Sequence, residues 1–162
     1  MNDLERSEEI RSKIQDWLLQ DRYSLEEKPE GKDLAWLFVA RCKDISFGIS
    51  QRIDRVDEVY IRLSVEFGVS LANLTLEEQK NFQKQLRFHL LHLDVEFDFD
   101  GLERLIISQR IFEDALTKDN FLSRMFRVQR AAIVTGWLLA ETLEQVKEPF
   151  KIFRPTGNGS LN

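Results

Sequence analysis

The chain has two histidines and one cysteine, the side chains that most often bind zinc and related metals. His89 and His92 are three residues apart in a predicted helix, so both could reach one ion. His89, however, shares the predicted apolar face of that helix with Leu86 and Leu93, and the chain has no third histidine. We therefore predict that His89 is a core or boundary residue, and that the protein binds neither a metal nor another cofactor.

The acidic segment at residues 96–101 resembles the beginning of a calcium-binding loop. Such a loop needs a bidentate glutamate at its twelfth position, which Ile107 occupies here. Phenylalanines alternate with Glu96, Asp98 and Asp100, as expected for a strand that has one buried face. We predict an exposed acidic strand face, which also discourages edge-to-edge association of sheets.

Cys42 is the remaining candidate for a chemically reactive side chain. It continues the strand face of Trp36, Phe38 and Ala40, and the sequence assigns it no histidine partner. A nucleophile needs a base and a third group that orients the base. The sequence also lacks a glycine-rich phosphate loop, a Gly-x-Ser-x-Gly turn and a His-Glu-x-x-His motif. These observations predict a small buried cysteine, no catalytic residue and a protein that is not an enzyme.

Three arginines, Arg124, Arg127 and Arg130, follow Lys118 at helical spacing. The spacing is typical of the solvated side of an amphipathic helix, although a basic stripe for an acidic partner fits it too. The composition limits such partners. A net charge of −5 and a pI of about 5.2 argue against general binding to nucleic acid or to anionic membranes.

The length of 162 residues favours a single domain, and the composition is that of a soluble globular protein. One cysteine fits a reducing cytoplasm, and the charged N-terminal residues do not resemble a signal peptide. The longest uncharged helical run, residues 131–140, is about half the roughly 20 residues that span a bilayer. We therefore expect a cytoplasmic protein.

Hydrophobic periodicity predicts the strands and helices in which these candidate residues lie. Alternation predicts strands near residues 34–43, 45–53, 58–67, 95–100 and 102–112, and residues 23–28 are a short extended candidate. Helical spacing predicts helices near residues 3–20, 75–93 and 120–146, the second of which begins with a capping box at Thr75 and Glu78. The fold class is α+β: an antiparallel sheet with helices in the order α-β-β-β-α-β-β-α. One domain covers residues 3–146, and residues 147–162 form a loose tail.

Residues 131–140 are apolar on every side of the last predicted helix. A small domain has little material to cover such a helix, so the run indicates a partner, most simply a second copy. Ala132, Gly136 and Ala140 would allow close approach either of the chain's own sheet or of a helix in that copy. Val134, Trp137 and Leu138 lie away from the main apolar stripe. If another chain buries them, the dimer arrangement is correct.

The strand at residues 34–43 is also apolar on both faces, which again indicates a covering partner. The residues predicted to contact a partner or to form a dimer interface are Trp36, Phe38, Ala132, Val134, Gly136, Trp137, Leu138 and Ala140.

Three segments carry a resemblance to known proteins: Ile-Gln-Asp-Trp-Leu at residues 14–18, Ile-Ser-Gln-Arg-Ile-Phe-Glu-Asp at residues 107–114, and the helix that follows Leu-Thr-Lys-Asp at residues 116–119. Together with the order of elements, they make residues 3–145 similar to the type III secretion chaperone-like fold. Within that fold, the chain resembles an uncharacterised prokaryotic family that is best represented in archaea.

Chaperones of this fold are small acidic homodimers that hold an extended segment of a partner protein against hydrophobic surface. The resemblance therefore implies a non-enzymatic, dimeric binding module whose client is an unidentified protein or peptide. The alternative is an enzyme or small-ligand protein with its site at the subunit interface. Such a protein would have a deep pocket that contains titratable groups with shifted pKa values.

Overall fold

The computed structural model describes residues 3–29, 34–52 and 60–145. Three helices are present, α1 (Asp3–Gln20), α2 (Leu76–Leu90) and α3 (Lys118–Gln145), together with short 3-10 turns at Leu71–Asn73, Leu91–Leu93 and Glu113–Ala115. The six strands are β1 (Ser24–Lys28), β2 (Leu34–Cys42), β3 (Ile45–Arg52), β4 (Tyr60–Gly68), β5 (Glu96–Asp100) and β6 (Arg104–Phe112).

The α+β class is confirmed, and the order of elements is α-β-β-β-β-α-β-β-α. The predicted order has one strand fewer because residues 23–28 were treated as a short extended segment. In the structure Ser24–Lys28 pairs with β2 as an edge strand. The predicted tail at residues 147–162 lies outside the described part of the chain.

The strands form one antiparallel sheet in the order β1-β2-β3-β4-β6-β5. The β2–β3 hairpin turns through Lys43 and Asp44, and Lys43 has a φ of 57°, as a two-residue hairpin turn requires. The two central strands are β3 and β4. Strand β4 also pairs with β6, from Tyr60 opposite Phe112 to Gly68 opposite Arg104. The shorter strand β5 covers only part of the far edge of β6.

One face of the sheet, the inner face, packs against the helices. In β4 the buried residues alternate with partly exposed ones, as the sequence predicts. The inner face and the three helices share one hydrophobic core, which includes Ile14 of α1, Phe82 of α2 and Phe121 of α3. Burial of each such large side chain contributes about 1.5–3 kcal/mol. The core therefore fixes all three helices on the same side of the sheet.

Two of the helices begin at hydrogen-bonded caps, the first of which is the predicted capping box. At α2 the Thr75 side chain accepts from the Glu78 amide at 3.1 Å, and the Glu78 carboxylate accepts from the Thr75 amide at 3.0 Å. At α3 the Thr117 hydroxyl accepts from the Asn120 amide at 3.2 Å. These bonds satisfy amides that a helix start leaves without partners. None of the described helices is both long enough and apolar enough to cross a membrane.

Candidate functional site

The predicted partner-binding residues of α3 differ in how far they are exposed to solvent. Ala132, Gly136 and Leu138 are buried, while Val134 and Ala140 are partly exposed. Trp137 is 76% exposed. The chain's own core therefore covers more of residues 131–140 than the sequence suggested, because the helix lies across the inner face with one side turned to solvent.

The side of α3 that faces solvent carries a row of large apolar side chains. Phe126 is 57% exposed and Ile133 is 52% exposed, and with Trp137 they follow an i, i+7, i+11 spacing. The guanidinium of Arg130 lies 5.8 Å from the centre of the Phe126 ring. We call Phe126, Ile133 and Trp137 the α3 stripe. The sequence analysis did not single out Phe126 or Ile133, although their seven-residue spacing is a signal that could have found them.

Trp36 and Phe38, the predicted partner residues of β2, lie in the core of the protomer. Trp36 is 3% exposed, and its indole Nε1–H donates to Gln51 Oε1 at 2.8 Å. Phe38 is fully buried on the inner face, where the Arg11 guanidinium lies 5.2 Å from its ring centre. Helix α1 and the sheet cover these two side chains, so neither has appreciable surface to offer a partner.

The outer face of the sheet has no described helix packed on it. Its centre consists of small residues, and the strand register places Gly48 beside Ser64 and Ser64 beside Ser108. A Cβ atom at Gly48 would lie 2.9 Å from Ser64 Oγ, so the strands approach closely at this point. Longer charged side chains, including Arg62 and Arg110, extend from the same face. The centre of this face is therefore flat and polar.

A cleft of about 210 Å³ lies beside β6 at the point where β5 begins. Gln109 is 3% exposed, and its Nε2 donates to the backbone carbonyl of Asp94 at 2.8 Å. Its Oε1 is buried and has no hydrogen-bond partner among the described residues. Asp94 itself has a φ of 55°, which turns the chain into β5. The cleft is lined by Asp94, Val95, Glu96, Gln109, Arg110, Phe112 and Arg124.

The three arginines of α3 do not form a single stripe. Arg127 and Arg130 are exposed, as the solvated-face interpretation predicts. Arg124 is partly buried and lines the cleft, where its Nε donates to Asn120 Oδ1 at 3.3 Å. Its Nη1 lies 3.8 Å from Asp94 Oδ2, which is an ion pair without a hydrogen bond. Arg124 therefore belongs to the cleft, and Arg127 and Arg130 belong to the exposed side of α3.

The structure corrects the predicted position of His89. Both histidines are exposed, and His89 makes an edge-on contact with the Phe88 ring at 5.4 Å. The buried positions of this region are Phe82, Leu86, Leu90 and Leu93. His89 lies within α2 at the flank of that row, because Phe82, Leu86 and Leu90 follow one another at a four-residue spacing that His89 does not share. Within residues 3–29, 34–52 and 60–145, no three His, Cys, Asp or Glu side chains form a group that could hold a metal.

The acidic face of β5 is exposed, as the alternation predicts, and two of its carboxylates are paired. Glu96 accepts from Arg110 at 2.9 Å, and Asp100 pairs with Arg104. Cys42 is partly exposed rather than fully buried, because it occupies the last position of β2 next to the hairpin turn. Burial, with smaller contributions from the neighbouring Cys42 and Asp21, raises the pKa of the nearby Tyr23 to about 12.

Residues 10–139 match the model of a family described as uncharacterized conserved protein DUF2299. The match covers all the described strands and α2, and most of α1 and α3. The chain belongs to this family. No curated protein matches the chain. The family is uncharacterised, so membership in it does not assign a function to the chain.

Two solved structures are similar to this family member. An uncharacterized protein from Methanothermobacter thermautotrophicus is 25% identical and has a TM-score of 0.68, with 82% of this chain and 97% of that chain covered. YbjN from E. coli is 12% identical and has a TM-score of 0.47, with coverage of 83% and 92%. The first similarity supports the α+β architecture described above.

Proposed function

We propose that the chain is a non-catalytic, homodimeric protein-binding module in which the α3 stripes of two copies pack together. The observation that carries the proposal is the exposure of Phe126, Ile133 and Trp137 in one row, on a helix whose opposite side is buried. Aromatic side chains such as Trp137 are enriched in protein interfaces, where they contribute large buried area. The resemblance to the type III secretion chaperone-like fold, whose members are acidic homodimers, supports the same arrangement.

The charges along α3 favour an antiparallel arrangement of the two helices. Arg127 and Arg130 are exposed in the first half of the helix, and Glu141 is exposed in the second half. A two-fold axis near Ile133 and Val134 would place Arg127 of one copy beside Glu141 of the other. A parallel arrangement would instead bring arginines against arginines. A two-fold contact is also the commonest symmetry of protein homo-oligomers.

The area that the stripe offers is consistent with a dimer contact. At 52–76% exposure, its three side chains present roughly 400 Å² per copy, since a whole aromatic side chain buries 150–250 Å². A stable interface buries about 800 Å² on each partner. The flanking residues Val134, Arg130 and Glu141 would supply part of the remainder. This contact would leave the outer face of the sheet and the free edge of β6 open to a partner protein.

Light scattering at micromolar concentration tests the proposal directly. The expected mass is twice 19.1 kDa. A disulfide test then locates the contact, in a Cys42→Ser background that removes the native thiol. Ile133→Cys lies near the proposed axis and should form a covalent dimer under mild oxidation. Phe88→Cys, on α2, is the matched exposed control and should remain uncrosslinked. A monomer by scattering, or equal crosslinking of both variants, would contradict the α3 dimer.

A further inference from the structure

The edge of β6 is only partly covered by another strand. Strand β5 begins at Glu96, opposite Ser108, whereas β6 continues to Phe112. On its other side β6 remains paired with β4 as far as Tyr60. Among the described residues, Gln109–Phe112 therefore have no strand neighbour on the β5 side. An uncovered edge of this kind presents backbone donors and acceptors to a strand from another chain.

The cleft described above lies beside this uncovered edge. Gln109 lines this cleft, and its buried Oε1 has no hydrogen-bond partner in the described part of the chain. Buried polar atoms in native proteins nearly always have a partner, so an orphaned amide oxygen indicates a place for an external N–H donor. This observation does not depend on the shape of the cleft or on the strand pairing.

Arg124 gives the cleft a positively charged group that can rearrange. Its only hydrogen bond in the described structure is the Nε bond to Asn120. Its guanidinium has five N–H donors in a planar fork, which suits bidentate binding of a carboxylate. The carboxylate of Asp94 is 3.8 Å away and its side chain is 77% exposed, so it can give way to a closer anion.

We infer that the cleft binds the C-terminal end of an extended peptide, which adds to β6 as a short antiparallel strand along Gln109–Phe112. This inference rests on the proposed protein-binding function and names the class of partner segment. The direction follows from the topology. A segment antiparallel to β6 runs the same way as β5, so its last residue reaches the start of β5 at Glu96. Its carboxylate would then lie in the cleft, within reach of Arg124.

The remaining cleft residues fit the same occupant. An N–H group of the peptide would donate to Gln109 Oε1, and the side chain of the last residue would lie between Val95 and Phe112. A volume of about 210 Å³ holds the end of a peptide but is smaller than the roughly 300–1,000 Å³ of a typical small-molecule site. A parallel strand would place its N-terminal ammonium beside Arg124, where the two positive charges repel each other.

An NMR titration of the full-length ¹⁵N-labelled chain tests this inference. The probes are N-acetyl-Thr-Val-Thr-Val with a free C-terminal carboxylate and the same peptide with a C-terminal amide. We expect the free acid to shift the backbone amides of Gln109–Phe112 and the side-chain amide of Gln109. The acid should bind at least about fivefold more tightly than the amide, because a charge-assisted bidentate contact is lost in the amide.

Two variants of α3 separate the charge contact from the rest of the helix. Arg124→Gln should remove the difference between the two peptides, and the exposed Arg127→Gln should preserve it. Equal affinity of the two peptides for the native chain, shifts confined to the α3 stripe, or no shift at all would each overturn the inference.

Light scattering on the same sample keeps the two proposals distinguishable. If the chain is a dimer and binds neither peptide, the cleft proposal is wrong and the α3 dimer stands. If the chain is a monomer and binds the free acid, the α3 dimer is wrong and the cleft proposal stands.

Discussion

Trp36 donates its indole Nε1–H to Gln51 Oε1 across 2.8 Å, and both side chains are buried. The same oxygen accepts from the Ser7 hydroxyl at 3.0 Å. One amide oxygen thus joins β2, β3 and α1. A tryptophan that the sequence analysis predicted as a partner contact is instead a fixed part of the core, with its polar edge satisfied inside the chain.

Replacement of Gln51 should destabilise the protein because it leaves the Trp36 donor buried without an acceptor. We expect Gln51→Leu to lower the free energy of unfolding by about 1–3 kcal/mol, measured by urea denaturation. The matched control is Gln85→Leu on the exposed side of α2, which should stay within about 0.5 kcal/mol of the native chain. In the Trp36→Phe background the Gln51→Leu effect should shrink, because the donor is already absent. Strict additivity of the two changes would contradict the coupling.

Replacement of Trp137 should weaken self-association while leaving the fold of each protomer intact. If Trp137 is at the proposed contact, Trp137→Ala should remove about 3–5 kcal/mol of dimer stability. The loss should appear as dissociation by light scattering and as a melting temperature that depends on protein concentration. Phe88→Ala is the matched control, since Phe88 is 72% exposed on α2. A Trp137→Ala protein that stays dimeric at every concentration would place the contact elsewhere.

The sequence predicts the elements well where periodicity has a clear phase. In β4, Ile61 and Leu63 are buried and Arg62 is partly exposed, as simple alternation requires. The ten apolar residues at 131–140 have no such phase, so the sequence could not separate buried Leu138 from exposed Trp137. That division depends on how α3 lies across the sheet, which is a property of tertiary packing.

The cleft could not be predicted because it depends on long-range register. Nothing local marks Gln109 as a buried residue with an unsatisfied oxygen. Its environment depends on where β5 begins beside β6 and on the approach of Arg124 from α3. His89 was placed wrongly for a more local reason, since it lies at the flank of the α2 face that Phe82, Leu86 and Leu90 bury, where helical spacing alone does not separate buried from exposed positions.

Tyr23 should titrate near pH 12, because burial raises the pKa of its hydroxyl from 10 to about 12. The folded state therefore holds this proton more tightly than the unfolded state does. The resulting stability is fully present below pH 10 and is lost as the pH rises from 10 to 12. Because the Tyr23 side chain is partly exposed, we expect the loss to be about 1–2 kcal/mol. Absorbance at the tyrosinate band should show a late step that Tyr23→Phe removes, and a Tyr23 step near pH 10 would contradict the assignment.

Removal of metal should leave the stability unchanged. Full zinc coordination needs four ligands, or three and a water, and the chain offers two exposed histidines and one cysteine at the end of β2. We expect the same melting temperature with and without EDTA, and no stoichiometric metal by elemental analysis. A melting temperature that falls by many degrees in EDTA would instead indicate a structural site, since such a site contributes directly to folding.

The pairing of β4 with β6 has a consequence for how the chain folds. The β2–β3 and β5–β6 hairpins connect neighbouring segments and can form within microseconds. The β4–β6 ladder must instead close the long connection of residues 69–103, which carries all of α2. Closing a long loop loses chain entropy before any contact compensates for it. We therefore expect the β4–β6 ladder to form last, with the two hairpins and α2 already in place, so that the rate of folding depends on β4 meeting β6.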